Sequence, residues 1–121
     1  MTRKRAIADY LRDILDAAEK ADRFTEGMNL ASFSADEKTV YAVIRALELV
    51  GEAAKKVPAS VRKRHPDVPW QAAAGLRDKL IHDYFGVNLE VVWQTIREDL
   101  PGFKAAIVNV LAEVSNKKAD G

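Results

Sequence analysis

An arginine, a histidine and a tyrosine lie close together in the second half of the chain, at Arg77, His82 and Tyr84. The guanidinium of an arginine stays charged at any physiological pH, and its planar fork of donors fits a phosphate group. A histidine gains or loses a proton near neutral pH. Arg77 and His82 could therefore bind a phosphate of RNA and move a proton beside it. The same spacing also arises when an arginine faces solvent and a histidine caps a helix, so the rest of the chain must decide.

Helix geometry limits how Arg77 and His82 could cooperate. A step of five residues turns an ideal helix by about 140°, so the two side chains would point apart, whereas Tyr84 would share the face of Arg77. They converge only if the helix ends near residues 81–82 or if a second subunit contributes its own copy. In a two-fold dimer one histidine could act as base and the other as acid, while each Arg77 held phosphate oxygens. We therefore predict a homodimer with a shared RNA cleft.

Two residues of the same segment have more than one interpretation. Asp78 could orient Arg77 or His82, or it could be an ordinary exposed charge on a helix. Tyr84 could pack at the edge of the core, stack on a base of RNA, or carry a modification on its hydroxyl. The residue types alone leave these alternatives open.

The charge balance restricts how RNA could be bound. The chain of 121 residues has 19 Lys and Arg against 18 Asp and Glu, a net charge of +1, so it cannot coat nucleic acid by bulk attraction. A local basic cluster is the candidate RNA-binding surface, and it comprises Lys55, Lys56, Arg62, Lys63, Arg64 and Lys79. The alternative is that these cations only complement the negative ends of helices.

Other chemistries have weaker support in the sequence. With two histidines and no cysteine, no spacing suggests a zinc site. Glu48 and Glu52 lie one helical turn apart and could hold Mg²⁺ with a carboxylate of the first helix (Asp9, Asp13 or Asp16), as in an all-helical nucleotide pyrophosphohydrolase. The tight cluster of glutamates typical of that class is missing, and no phosphate-binding glycine loop occurs. We predict no metal and no cofactor.

Length and composition predict a single domain. We assign residues 1–114 to it and residues 115–121 to a flexible tail. The absence of cysteine agrees with a reducing compartment, and we expect the protein in the cytoplasm. Charges such as Asp9 and Arg12 interrupt the first apolar stretch, so we expect no signal peptide and no membrane partner.

Apolar residues recur at helical spacing almost throughout, which predicts an all-α fold of about five helices. The first helix should run to about Asp22, and the second should begin at a capping box of Ser34 and Glu37 and stop before Pro58. These two should form an antiparallel hairpin. A single turn is expected over Ala59–Arg64.

The third helix carries Arg77. It should start near Trp70 and run through Leu80, with Gly75 allowing a close backbone approach. Asn88 should cap a fourth helix, and Pro101 should begin a fifth. Trp70 and Trp93 are expected in the core.

Four blocks of the chain resemble the HepT-like toxins of the HEPN superfamily, which pair with minimal nucleotidyltransferase antitoxins. In order they are residues 10–15, 46–53, 65–70 and 75–85, and the last contains the complete pattern Arg-x4-His-x-Tyr at Arg77, His82 and Tyr84. Asp78 takes the polar position after the arginine, where asparagine is also usual. Glu52, in the second block, is assigned a supporting role.

The resemblance implies a HEPN-type antiparallel helical bundle that dimerises and cleaves RNA without a metal, with Arg77 and His82 catalytic. It also implies that Tyr84 is the acceptor to which the cognate nucleotidyltransferase attaches AMP. Members of the superfamily can also be inactive, or act as nucleotide-binding or adaptor modules. We therefore predict an endoribonuclease toxin with RNA and a nucleotidyltransferase antitoxin as partners, and we expect no DNA partner. The alternatives are a non-catalytic binding module and, with less support, the Mg²⁺-dependent pyrophosphohydrolase.

Overall fold

The first helix, α1 (Ile7–Phe24), follows the predicted apolar spacing. The structure is a computed structural model, and it describes residues 6–76, 78–80 and 88–120, without the side chains of residues 116–120. The Asp9 carboxylate accepts a hydrogen bond from the Ala6 N–H at 3.2 Å, which satisfies a free amide at the helix start. At the other end the hydroxyl of buried Thr25 donates to the Ala21 carbonyl at 2.9 Å. Gly27 then turns the chain with a φ of 75°.

A short helix that the sequence pattern did not predict separates the two long ones. Helix α2 (Leu30–Ala35) is capped by Asn29, whose side chain accepts from the Ser32 N–H at 2.8 Å. Helix α3 (Glu37–Lys56) starts after Asp36, whose carboxylate accepts from the Thr39 N–H at 3.2 Å. This bond lowers the pKa of the Asp36 carboxyl.

The predicted capping box of Ser34 and Glu37 is therefore wrong. Ser34 already lies inside α2, and Asp36 caps the long helix in its place. Asp is as good a capping residue as Ser, so the pattern placed the helix start within a few residues but chose the wrong side chain.

Helices α1 and α3 form the predicted antiparallel pair. Residues near the start of α1 and near the end of α3 line the same small cavity, which fixes their opposite directions. Their facing apolar side chains are fully buried, namely Leu11, Ile14, Val43, Leu47 and Val50. This pair is the centre of the hydrophobic core.

The connector after α3 contains two short helices, α4 (Ala59–Arg64), as predicted, and α5 (Trp70–Ala74). Trp70 is buried, and its indole N–H donates to the His65 carbonyl at 2.9 Å. The expected single helix from Trp70 to Leu80 is interrupted at Gly75. Residues 76 and 78–80 are helical again, and the Lys79 N–H bonds to the Gly75 carbonyl at 3.0 Å. A Cβ on Gly75 would lie 3.3 Å from the Gln71 carbonyl oxygen, so the close approach expected there is to its own preceding turn.

The last two predicted helices are one continuous helical run. Asn88 caps α6 (Leu89–Gln94) as predicted, a π-helical turn follows at Thr95–Asp99, and α7 (Leu100–Asp120) continues directly. Pro101 lies in the first turn of α7, as predicted, but α7 is not a separate helix because it continues directly from the π-helical turn. The ring of Pro101 crowds the carbonyl four residues before it, and Pro101 donates no hydrogen bond there. The wider π-helical turn just ahead of Pro101 accommodates this without breaking the run.

Polar contacts join the continuous helical run from α6 to α7 to the end of α1. The Lys104 ammonium lies 2.8 Å from an Asp22 carboxylate oxygen and 3.0 Å from one of Glu19, which joins α7 to α1. Arg97 donates to the Thr25 carbonyl at 2.8 Å, and its guanidinium lies 4.4 Å from the ring centre of Trp93. The final turns of α1 are thus held by both α7 and the π-helical turn.

The described residues contain no strand, so the all-α class is confirmed, with short helices added to the five expected. Trp70 is buried and Trp93 packs against the core, both as predicted. The division into a domain of residues 1–114 and a flexible tail stays a prediction, although α7 extends to Asp120. Within the part of the chain that is described, no helix is long and apolar enough to cross a membrane.

Candidate functional site

The segment with the candidate catalytic residues is bounded by described structure on both sides. Arg77, His82 and Tyr84 themselves lie outside the described residues, so their roles remain predictions. Before them, Leu80 is buried at 7% exposure and so attaches the helical residues 78–80 to the core. After them, Asn88 caps α6. The segment is thus connected to the bundle at both ends.

Two residues beside Arg77 are described and face away from the core. Asp78 and Lys79 are both exposed, whereas Leu76 is half-buried and Leu80 is buried. The exposure of Asp78 fits either interpretation, a residue that orients Arg77 or a solvated charge. Lys79 lines a groove together with acidic residues, which is described below.

The other predicted RNA-binding residues lie at two helix ends. Lys55 and Lys56 occupy the last turn of α3, and residues 62–64 occupy the last turn of α4. Lys55, Lys56 and Lys63 are exposed. Cations at these positions also offset the negative ends of the two helices. Their placement therefore fits the alternative that they complement helix ends, and it also leaves exposed lysines available to RNA.

Three residues after the start of α4 are less available for RNA contacts than the exposed lysines, namely Arg62, Arg64 and the neighbouring His65. Arg64 Nε lies 3.8 Å from Oε1 of Glu113 on α7, and His65 Nε2 lies 3.1 Å from Oε2 of the same carboxylate. Arg62 is half-buried, and its Nε has no hydrogen-bond partner among the described residues. Glu113 therefore neutralises part of the basic cluster and joins α4 to α7.

Glu52 lies in a cavity of about 210 Å³ between α1 and α3. Lys56, one helical turn further on, lines the same cavity, and Asp13 and Asp16 contribute from α1. Arg45 lies 3.3 Å from Glu48 and 3.9 Å from Glu52. Glu52 is thus in a polar, charge-balanced setting, and its supporting role in catalysis stays a prediction.

This cavity is also where the Mg²⁺ alternative would need its ligands. Among the described residues no three His, Asp or Glu side chains are grouped so that they could hold a metal ion. Lys56 contributes a positive charge to the same cavity, and Arg45 is paired with both glutamates that the alternative requires. The described carboxylates give that alternative no support.

A larger groove was not anticipated from the sequence. It has a volume of about 670 Å³ and lies between the segment around Gly75 and the start of α7. Its floor is apolar, while Asp67, Glu98, Asp99 and Lys79 stand around it. The acidic pair Glu98 and Asp99, which Leu100 separates from Pro101 and Gly102, was the sequence signal that could have indicated an unusual surface here.

Comparison with known proteins agrees with the resemblance. A family model described as Ribonuclease HepT-like matches residues 14–110. A protein of Thermococcus cleftensis named "Probable ribonuclease HepT" is 48% identical over 101 residues, which cover 84% of this chain and 92% of the relative. A Methanocaldococcus jannaschii protein named "Putative RNase" is 39% identical over 114 residues, covering 94% of each chain. No solved structure matches.

The matched range contains the predicted basic cluster and the whole segment from Arg77 to Tyr84, and it extends across the helices that hold them. A family model over most of the chain, together with relatives that align along nearly their full lengths, identifies the group to which the sequence is related. The chain belongs to the HepT-like ribonuclease family of the HEPN superfamily.

Proposed function

We propose that the protein is a metal-independent endoribonuclease, the toxin of a pair with a minimal nucleotidyltransferase antitoxin, acting in the cytoplasm. The observation that carries the proposal is the HepT-like match over residues 14–110, which includes an intact Arg-x4-His-x-Tyr pattern. The relatives named as ribonucleases support the same class of activity.

The proposed chemistry assigns one task to each residue type. A histidine acting as base removes the proton of a ribose 2′-hydroxyl, whose oxygen attacks the adjacent phosphorus. The bond from phosphorus to the 5′-oxygen breaks, and an acid returns a proton to that oxygen, leaving a 2′,3′-cyclic phosphate. Arg77 binds the phosphate oxygens as negative charge builds on them. His82 from each of two subunits supplies the base and the acid.

The proposed route of the RNA follows exposed cations. Lys55, Lys56 and Lys63 are exposed at neighbouring helix ends and are available for phosphate contacts. Arg64 would first have to share or leave Glu113. We therefore expect the three lysines to contribute most of the salt dependence of RNA binding.

Control of the activity is proposed to act at Tyr84. Attaching AMP to its hydroxyl would place a phosphate and a base beside the arginine that holds the RNA phosphate. The added negative charge would compete for that arginine and repel RNA. Tyr84→Phe should keep ribonuclease activity and escape inhibition by the antitoxin with ATP, and intact mass should show AMP added to the wild type alone.

The decisive experiment is cleavage of unstructured RNA in EDTA. Wild type should cut, and Arg77→Ala and His82→Ala should each lose cleavage while keeping the helical circular dichroism spectrum. Arg12→Ala and His65→Gln are matched controls at another arginine and the other histidine, and both should retain cleavage. Full activity in His82→Ala would contradict the mechanism. An inactive wild type would favour the non-catalytic binding module, and nucleotide hydrolysis that depends on added Mg²⁺ would favour the pyrophosphohydrolase.

A further inference from the structure

The groove of about 670 Å³ combines an apolar floor with open access. Its floor includes Leu100 and Phe103, which belong to the core, and the more accessible Ala72, Leu76 and Ala106. Ala72 is exposed, and Leu76 and Ala106 are half-buried. A concave surface of this size, mostly apolar with a few charged groups at its edge, is typical of a binding site.

The described charges around the groove are mostly negative and have no partner among the described residues. Asp67, Glu98 and Asp99 are all exposed, and none makes an ion pair or side-chain hydrogen bond with any described residue. Among the described residues that line the groove, Lys79 is the only cation. These carboxylates disfavour RNA by like charge and favour a ligand that carries positive charge beside apolar groups.

Gly102 is an independent sign that something approaches this surface. It lines the groove within a helix, where glycine is less favourable than alanine by about 1 kcal/mol. A Cβ added to Gly102 would meet no atom of a described residue within 4 Å, and the φ of Gly102 does not require glycine. Nothing in the described part of the chain therefore calls for a glycine here. A backbone or side chain from outside the chain, packed closely on this turn, would explain it.

The π-helical turn shapes the acidic side of the groove. Thr95, Glu98 and Asp99 all belong to it and all line the groove. Turns of this kind are rare inside α-helices and often mark functional sites. Three features therefore coincide at one surface: an open apolar floor, carboxylates without a partner among the described residues, and a locally widened helix.

We propose that this groove docks a basic protein segment, one whose apolar side chains pack on the floor while flanking Lys or Arg side chains pair with Asp67, Glu98 and Asp99. The partner is the nucleotidyltransferase antitoxin, so this inference rests on the proposed function. Docking here would hold the antitoxin against the chain on both sides of Arg77, since Leu76 and Lys79 line the groove.

The test measures antitoxin binding by calorimetry with the full-length protein. Gly102→Leu fills the groove and should weaken binding at least about tenfold. The double variant Glu98→Lys with Asp99→Lys should weaken it similarly, and more at low salt than at high salt. Ala105→Leu introduces the same side chain as Gly102→Leu, and Glu90→Lys makes one charge reversal of the same kind, both at exposed positions of α7 and α6 outside the groove, so both should bind like wild type. Without antitoxin, Gly102→Leu and the two control variants should cut RNA like wild type, and the double lysine variant should remain an active ribonuclease.

The outcomes separate this inference from the proposed function. Normal antitoxin binding by both groove variants would overturn the docking site and leave the toxin–antitoxin pairing intact. No binding by wild type would overturn both. Light scattering on each variant supplies a further arm: if Gly102→Leu changes the oligomeric state while Ala105→Leu does not, the groove holds a second copy of this chain, and the antitoxin docking is wrong.

Discussion

Two charged sites near the start of α7 differ in whether their carboxylates are paired with a cation. Where α7 meets α1, Lys104 lies between Glu19 and Asp22, and cation and carboxylates neutralise one another. A few residues away, Glu98 and Asp99 stand at an apolar groove without an ion-pair partner among the described residues. The first arrangement stabilises the folded chain. The second leaves both apolar surface and charge available, which is what binding to another molecule requires.

The largest predicted loss of unfolding free energy is for a substitution in the core, away from the groove. Leu47 is fully buried between the paired helices. Leu47→Ala should lower the free energy of unfolding by about 2 to 5 kcal/mol, because it removes apolar contacts and leaves a cavity. Urea denaturation followed by circular dichroism measures the loss. Leu76→Ala, at the half-buried floor of the groove, should cost clearly less, and an equal cost would mean that the groove is part of the stabilising core.

A smaller loss is expected where the π-helical turn is held to α1. Arg97→Ala removes the hydrogen bond to the Thr25 carbonyl and the contact with Trp93. We expect a loss of about 1 to 3 kcal/mol, since a buried carbonyl loses a charged donor. Arg23→Ala, which removes a guanidinium lying over exposed Phe24, is the control and should have little effect. Equal unfolding midpoints for the two variants would show that the contacts of Arg97 with Thr25 and Trp93 do not stabilise the fold.

The charge-paired end should respond to alkaline pH. The side-chain hydrogen bonds to Asp22 and Glu19 raise the pKa of Lys104 above its ordinary value of 10.5. The protonated Lys104 therefore stabilises the fold fully below pH 10.5, and this stabilisation is lost as the pH rises through the pKa of Lys104 in the folded state. Lys104→Met should therefore cost about 1 kcal/mol at neutral pH.

The cost of Lys104→Met should shrink as the pH is raised past 10.5. Chemical denaturation of both proteins over that range is the measurement. Lys20→Met, which removes an exposed pair with Asp16, is the control and should cost less at neutral pH. A cost for Lys104→Met that does not change with pH would show that packing of the side chain matters more than its charge.

The smallest effect should have the opposite sign. Gly102→Ala adds a methyl group where no atom of a described residue lies within 4 Å, and it removes a helix-weakening residue. The free energy of unfolding should rise by up to about 1 kcal/mol. Thermal unfolding measures it, with Ala105→Gly as the converse at a neighbouring exposed position. A destabilised Gly102→Ala protein would mean that the glycine serves the fold of the chain itself.

Periodic apolar residues predicted the helices well because burial of one face decides where a long helix lies. The pairing of α1 with α3 and the cap at Asn88 both follow from local pattern. The capping error arose because two suitable capping residues lie close together in the sequence. Ser34 and Asp36 are both good capping residues two positions apart, and the short helix α2, which contains Ser34, decided between them.

The groove could not be predicted because it depends on how distant segments pack. Glu98 is distant in sequence from Asp67 and Leu76, and it meets them only when the segment around Gly75 lies against α7. The order of the family blocks did identify the segment from Arg77 to Tyr84. Residue types there indicate a chemistry, but convergence of Arg77 and His82 depends on a helix end or a second subunit that local spacing does not specify.

The π-helical turn leaves the buried face of the last helical run unbroken. The apolar residues that this run buries are Val92, Ile96, Leu100, Phe103, Ile107 and Val110. Their steps of three and four residues are those of the apolar stripe of an ordinary α-helix. The spacing of buried residues therefore gives no sign of the π-helical turn. The change in backbone geometry falls on the residues between them, among which Glu98 and Asp99 are exposed at the groove.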